Sequence, residues 1–525
     1  MTKLDLAALD HALNLLPGQH RGPAGVAGVV KDGQVIARRA WGFADMYRHL
    51  PMTTQTRLPI CSISKHMTCA LLLDLFDDPE VLAPLLPDLL PNHAAPLPTV
   101  AHLCHNQSGL RDYWALTVLH GAEPEGIFTE EDGLTLLTQA KGGHFPPGQH
   151  YAYCNGNFRL LADLIRRATG RDFGDLLRER IFRPANMATA ALAPDTRKPL
   201  DDVVGYEGND EVGFLPAKSG LHWFGDAGIS ASLDDMLAWE CHIDATRDNP
   251  DSLYNRISGP VSFTDGTPAA YGYGLRRDVL AGYGVTSHGG GLRGFCSFRL
   301  HVAAERLSVV VIFNHEASAM RAAWSLMGAA LGCRVGEPAL AASGWNGLWF
   351  DDEQKLLVRT GDHPAGVRLH YAPSPTVLPL LSGDVAQGYG IELCREDGVL
   401  RMDRKAENLR VVARAVTPLD WADGTELAGH YQSDELGTSL EIRFRDGAAY
   451  VTFTGMLGTG PMERMYPLGR DLWTITSRRA MDAAPPGEWT VLIERDGEGG
   501  VRGLVIGCWL ARKISYRRTG APSGA

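Results

Sequence analysis

In "HMTCALLLDLF" (66–76) the apolar residues Met67, Ala70, Leu71, Leu72, Leu73, Leu75 and Phe76 come too densely for a helix with one wet face, so the pattern predicts a buried helix. Near the start, "TKLDLAALDHALNLL" is apolar at helical spacing but carries Asp5 and Asp10, which predicts an amphipathic helix stopping at Pro17-Gly18. "VAGVVKDGQVIARRAWG" reads as two strands joined at Lys31-Asp32-Gly33, a hairpin turn signal. A helix-rich stretch follows, punctuated at Pro96, Pro98, Pro146-Pro147-Gly148 and Pro184. "YGYGLRRDVL", "VTSHGGGLRGFCSFRL" and "LSVVVIFN" then supply three more strands. Strands at both ends of a segment, with helices between, predict one sheet drawn from distant sequence in an α+β or α/β core.

Beyond about Gly344 the helical spacing disappears. "LEIRFRDGAAYVTF" alternates Leu440, Ile442 and Phe444 before an Asp446-Gly447 turn, and "WTVLIERDGEGGVRGLVIG" repeats the device. Short strands with such turns roughly every 8–12 residues predict antiparallel barrels or sandwiches. Gly347-Leu348-Trp349 and Gly429-His430-Tyr431 open two similar stretches, a weak repeat that predicts two all-β units. The expected layout is a mixed core over 1–335, then β domains over 345–416 and 421–520.

Charge and cysteines narrow the function classes. A formal net charge of −11 with no basic run gives no footprint for nucleic acid or an anionic membrane. No run of about 18 apolar residues occurs, so no membrane span is expected. The first helix lacks the basic start of a signal peptide, which makes the cytoplasm the expected location. Nine cysteines form no CxxC pair and are odd in number, so neither a zinc site nor a disulfide framework is indicated, and no metal or other cofactor is expected.

Chemistry enters at "CSISK" (61–65). Ser62 and Lys65 are three residues apart at the start of the buried helix, which sets their side chains on one face. A hydroxyl becomes a nucleophile when a neighbour takes its proton, and a lysine entering an apolar helix has reason to be neutral enough to do so. Tyr153 and Asn155 follow a Pro/Gly loop and precede the helix-like "GNFRLLADLIRRATG"; the first could relay a proton, and the second offers both donor and acceptor. His288-Gly289-Gly290-Gly291 stands just before a strand, where glycines permit close backbone approach to a ligand. Cys61 and Cys154 flank Ser62 and Tyr153, so bulky thiol reagents are expected to obstruct the site.

The order S-x-x-K, Y-x-N and a Gly-rich triplet ahead of a late strand resembles the penicillin-recognising serine hydrolases, whose third motif is K-T-G or H-x-G. "LCHNQSGLRDY", "FPPGQHYAYCNGNFRLLADLI", "RPANM" and "GDAGISASLDDM" extend the similarity over most of residues 20–330. Within that group the chain is most similar to the bacterial D-aminopeptidase family, in which such a catalytic domain precedes two antiparallel β-barrel domains. The resemblance implies Ser62 as acylated nucleophile, Lys65 as its base, Tyr153 as proton relay and Asn155 as an orienting group. It implies His288 in the place of the K-T-G lysine, and the amides of Ser62 and Gly290 or Gly291 as an oxyanion hole. A histidine there carries less positive charge than lysine at neutral pH, which favours substrates lacking a carboxylate near the scissile bond.

In the family a loop of the last β domain enters the site and binds the substrate's amino end through an aspartate. "SRRAMDAAPPG" (477–487) lies at the matching place, and Asp482 is its only carboxylate. The implied activity is therefore hydrolysis of small peptides, amides or esters with an N-terminal D-residue such as D-alanine, by a homodimer, with β-lactams as possible ligands. A carboxylesterase, a DD-peptidase or β-lactamase type enzyme, and a non-catalytic binding protein on the same scaffold are the alternatives.

Overall fold

The computed structural model describes residues 4–94, 96–333, 340–475, 480–482 and 486–520. The hairpin expected at residue 32 is present: Ala24–Lys31 and Gln34–Asp45 are joined by Asp32 and Gly33 at φ 51° and 74°. Two left-handed residues give the turn whose twist matches that of paired strands. Ala24–Lys31 also pairs with the distant Leu307–Phe313, from Gly25 opposite Phe313 to Lys31 opposite Leu307.

The result is an eight-stranded antiparallel sheet in the order Tyr271–Gly272, Leu275–Leu280, Tyr283–Leu292, Phe295–Val302, Leu307–Phe313, Ala24–Lys31, Gln34–Asp45 and Leu50–Pro51. Its two central strands are buried nearly throughout, because helices cover both faces. Leu6–Gln19 and Ala319–Ala330 pack on one side, through Leu9, Leu13, Leu16, Ala322 and Leu326. A helical layer around Ser64–Leu75 fills the other, and that helix is buried from Ser64 through Leu73.

Two sequence expectations need correction. The first helix does not stop at Pro17-Gly18 but runs on to Gln19, closed by the His20 N–H donating to the Leu16 carbonyl oxygen at 2.9 Å. The segment His288–Gly291 lies inside the strand Tyr283–Leu292 rather than before it, with Gly289 opposite Phe298, Gly290 opposite Ser297 and Gly291 opposite Cys296. Glycine weakens a strand locally, but pairing along the whole of Phe295–Val302 overrides it.

Among the described residues, the second half forms two nine-stranded antiparallel sheets, spanning Gly347 to Ala415 and Gly429 to Gly520. The second closes on itself, since Thr438–Arg445 pairs with both Gly429–Ser433 and Ala448–Gly455. The two openings noted in the sequence, at Gly347 and Gly429, each begin the first strand of a sheet. Buried residues of both sheets belong to one apolar cluster, which also takes in Ala115, Leu116 and Leu119 from the core. Among the described residues no helix is long and apolar enough to cross a membrane.

Candidate active site

Cys61–Ile63 forms a tight helical turn that runs directly into Ser64–Leu75, so Ser62 sits at a helix entrance and Lys65 in the first turn of the buried segment. Cys61 holds φ 52°, a left-handed backbone uncommon for a residue with a side chain, immediately before Ser62. Ser62 stays half-exposed while Lys65 is completely buried. The Lys65 Nζ is 2.9 Å from Ser62 Oγ, 2.7 Å from Asn155 Oδ1 and 2.7 Å from the Asp226 carbonyl oxygen. An ammonium can donate one proton to each of these acceptors. A neutral amine keeps two donors, enough for Asn155 and Asp226, and turns its lone pair to the serine.

Burial lowers Lys65 from 10.5 to about 8, against the opposing pull of Asp226, Asp112 and Asp482. Proton exchange with Ser62 thus falls near neutral pH. Tyr153 hydrogen-bonds the Ser62 side chain, and its ring centroid is 5.0 Å from Lys65 Nζ. Burial raises the phenol well above its usual range, so it is held protonated.

Asn155 opens the helix Asn155–Thr169. Its amide nitrogen and its backbone N–H both donate to Asp112 Oδ1, at 3.0 and 2.6 Å, which leaves its oxygen for Lys65. Asp112 is fully buried, and burial pushes its carboxyl up to about 6. Asp226 is buried as well and accepts from Tyr113 Oη at 2.9 Å and Trp114 Nε1 at 3.3 Å.

His288 is bonded to Tyr271, and its ring centroid is 6.3 Å from that of Tyr153. Its Nε2 is 2.9 Å from Tyr271 Oη and its Nδ1 is 2.5 Å from the Gly289 carbonyl oxygen. Burial and the Lys65 charge hold it down to about 3, so it is neutral at any working pH. Pairing on the Leu275–Leu280 side of the strand ends at Ser287, and the Ser62 turn packs against the strand near Gly290, where Ser297 Oγ donates to the Ile60 carbonyl oxygen at 2.9 Å. A methyl on Gly290 would lie 2.5 Å from the Ile60 carbonyl oxygen and 2.8 Å from Cys61 Cβ, whereas one on Gly291 would meet open space.

The structure therefore brings Ser62, Lys65, Tyr153, Asn155 and the glycine strand together. Asp482 is half-buried, and its charge is felt by both Lys65 and Tyr153. Its neighbours Ala480 and Met481 are buried in the apolar cluster of the core, although the chain here belongs to the last β sheet. Residues 476–479 and 483–485 of the expected loop lie outside the described residues. Asp112, Asp226 and Tyr271 were not singled out from sequence; the stretches "LRDY", "GDAG" and "YGYG" contain them, but their partners are 43, 161 and 17 residues away.

A profile described as "Beta-lactamase" matches residues 9–331, and one described as "D-aminopeptidase, domain B" matches 339–517. A D-aminopeptidase of Cereibacter sphaeroides is 55% identical over 98% of this chain and 99% of its own. The chain belongs to the D-aminopeptidase family. Another family member, a D-aminopeptidase of Brucella anthropi, is 46% identical over 99% of each chain. The octameric penicillin-binding protein homologue from Pyrococcus abyssi shares the fold, with a TM-score of 0.54 at 16% identity over 78% of this chain and 100% of that one. The family thus joins a beta-lactamase-like core to a β-rich second half, as the sheets above do.

Proposed function

We propose that this chain is a serine aminopeptidase that removes N-terminal D-residues from small peptides, amides and esters through an acyl-enzyme on Ser62. The observation that carries the reading is the fully buried Lys65, its amine 2.9 Å from Ser62 Oγ and titrating near 8. The neutral amine takes the Ser62 proton as Oγ attacks the carbonyl carbon. Charge developing on the carbonyl oxygen meets the N–H of Ser62 and that of Gly290 or Gly291. Tyr153, kept protonated and bonded to Ser62, passes a proton to the departing amine, and with Lys65 it activates the water that releases the acid.

Asp482, the carboxylate of the 477–487 stretch, receives the substrate's α-ammonium. Its electrostatic reach to Lys65 and Tyr153 supports this role. The neutral His288 supplies no cation for a substrate carboxylate, which favours recognition of the amino end over a carboxypeptidase or β-lactamase reading. The preference for the D hand is carried by family membership, and β-lactams would enter by the same attack of Ser62. Action in the cytoplasm accords with nine cysteines that are all free thiols. Assembly as a homodimer, implied by the family resemblance, completes the reading and is checked by sedimentation.

The decisive experiment is hydrolysis of D- and L-alanine p-nitroanilides, each with a free and an acetylated amine, by wild type and Ser62→Ala. Cleavage confined to the free-amine D form and lost in the variant is expected. Cleavage indifferent to hand or amine, yet dependent on Ser62, would replace the reading with a general esterase or amidase.

A further inference from the structure

The base is held by groups that nothing in its own helix supplies. Asn155 can face Lys65 with either its oxygen or its NH2, and only the oxygen accepts a proton. What decides between them is Asp112 Oδ1, an acceptor that takes both N–H groups of Asn155 and forces the oxygen toward Nζ. Asp112 is itself positioned from the other half of the molecule. Its backbone N–H donates to the Leu510 carbonyl oxygen at 3.0 Å, at the turn between Val501–Cys508 and Ala511–Gly520. Beside it Arg111 donates from Nε to the Arg512 carbonyl oxygen at 2.9 Å and pairs with Glu435. The same turn holds the stem of the Asp482 loop, since the Leu510 N–H donates to Pro486 O at 3.1 Å.

We propose that Asp112 is a positioning residue for the catalytic base: it orients Asn155 toward Lys65 and keeps a negative charge beside the amine, held in place by the C-terminal barrel's 508–511 turn. The proposal rests on Lys65 acting as the base, as above. The turn thereby ties the C-terminal barrel to the proton-transfer apparatus, so the barrel contributes to catalysis.

The electrostatic consequence follows from the groups around Nζ. Asp226, Asp112 and Asp482 favour the ammonium, with Cys154 a smaller influence, while Lys65 in turn lowers His288. Asp112 faces Asp226 and the buried thiols of Cys154 and Cys508. With its carboxyl near 6, Asp112 is ionised where Lys65 titrates, near 8. Removing that charge disfavours the ammonium, so the amine becomes a base at lower pH.

The test is the pH dependence of Ser62 acylation by a fluorophosphonate, which needs no amine and no D-residue, so its outcome is separable from the substrate reading. Full-length wild type, Asp112→Asn and Asp112→Ala are compared, with folding followed by circular dichroism. In Asp112→Asn, whose amide oxygen can still accept from Asn155, the acid limb is expected to move down by at least about half a unit with the plateau within about threefold of wild type. In Asp112→Ala the limb moves likewise and the plateau falls at least about tenfold, because Asn155 is free to turn. An unmoved acid limb in folded Asp112→Asn would overturn the proposal, whatever happens to the plateau. Plateaus equal in the two variants would overturn the orienting role.

Discussion

The Tyr271 hydroxyl donates to His288 Nε2 at 2.9 Å, so the imidazole's one proton lies on Nδ1, where it meets the Gly289 carbonyl oxygen. Both nitrogens are occupied in the neutral form, and a second proton would force the Tyr271 hydroxyl to turn from donor to acceptor. The histidine that heads the glycine run is thus wired as a neutral group.

Activity should therefore follow Lys65, not His288, on the acid side. Against a free-amine D-alanine anilide, kcat/KM is expected to fall about tenfold per pH unit between the Lys65 value near 8 and the Asp112 value near 6, near which the limb flattens as the Asp112 charge is lost. The sign follows from the chemistry: the ammonium is inert, so rate is gained as pH rises through its titration. A pH profile from 5 to 10 checks it.

Gly290→Ala should disable the enzyme. The added methyl would collide with the Ile60 carbonyl and Cys61, separating the strand from the nucleophile's turn. The Ser297 hydroxyl could rotate aside but the Ile60 carbonyl is backbone, so a loss of about 1–3 kcal/mol of stability is expected. Thermal unfolding and kcat read the two effects together, and Gly291→Ala, which meets open space, is the milder comparison.

Asp482→Ala should separate substrates by their amino group. Loss of a charge-assisted contact predicts about a 10–100-fold drop in kcat/KM for the free-amine anilide. The N-acetyl form should change little. Parallel losses on both would leave Asp482 without contact to the amine.

Thiol reagents should act in two phases. Cys61 and Cys154 are fully buried and burial disfavours their thiolates, whereas Cys241, Cys296, Cys333 and Cys394 are partly exposed. Fast labelling of the exposed set is expected to spare activity, and inactivation to track slow labelling at 61 and 154. Peptide mapping of a time course against residual activity resolves the order.

Arg299→Met should cost stability behind the His288 strand. Arg299 and Glu240 are wholly buried and joined by two bonds of 2.7 Å, with Tyr254 Oη at 2.9 Å from the guanidinium. Stranding the carboxylate predicts a loss of about 3–5 kcal/mol in urea unfolding.

The spacing of Ser62 and Lys65, the density of apolar residues after them and the Asp32-Gly33 turn are local matters, and all were legible in the chain. Their physics acts over one helical turn or one hairpin, within reach of adjacent residues. The alternation after residue 344 likewise announced β structure, since a sheet with one wet face imposes period two wherever it forms. The glycine run at 289–291 was misplaced because its strand exists by virtue of the Phe295–Val302 partner, and glycine itself carries no periodic signal.

The sequence by itself thus determined the Ser62–Lys65 pairing at a helix entrance, and the mixed core followed by β sheets. Only the tertiary structure decided which groups set the base: Asp112 and Asp226, and a barrel turn some 400 residues from Arg111. The reason is dielectric and geometric at once. Removing Lys65 from water makes its proton affinity depend on every buried charge nearby, and chain folding brings those charges together from segments whose sequences carry no mark of their partners.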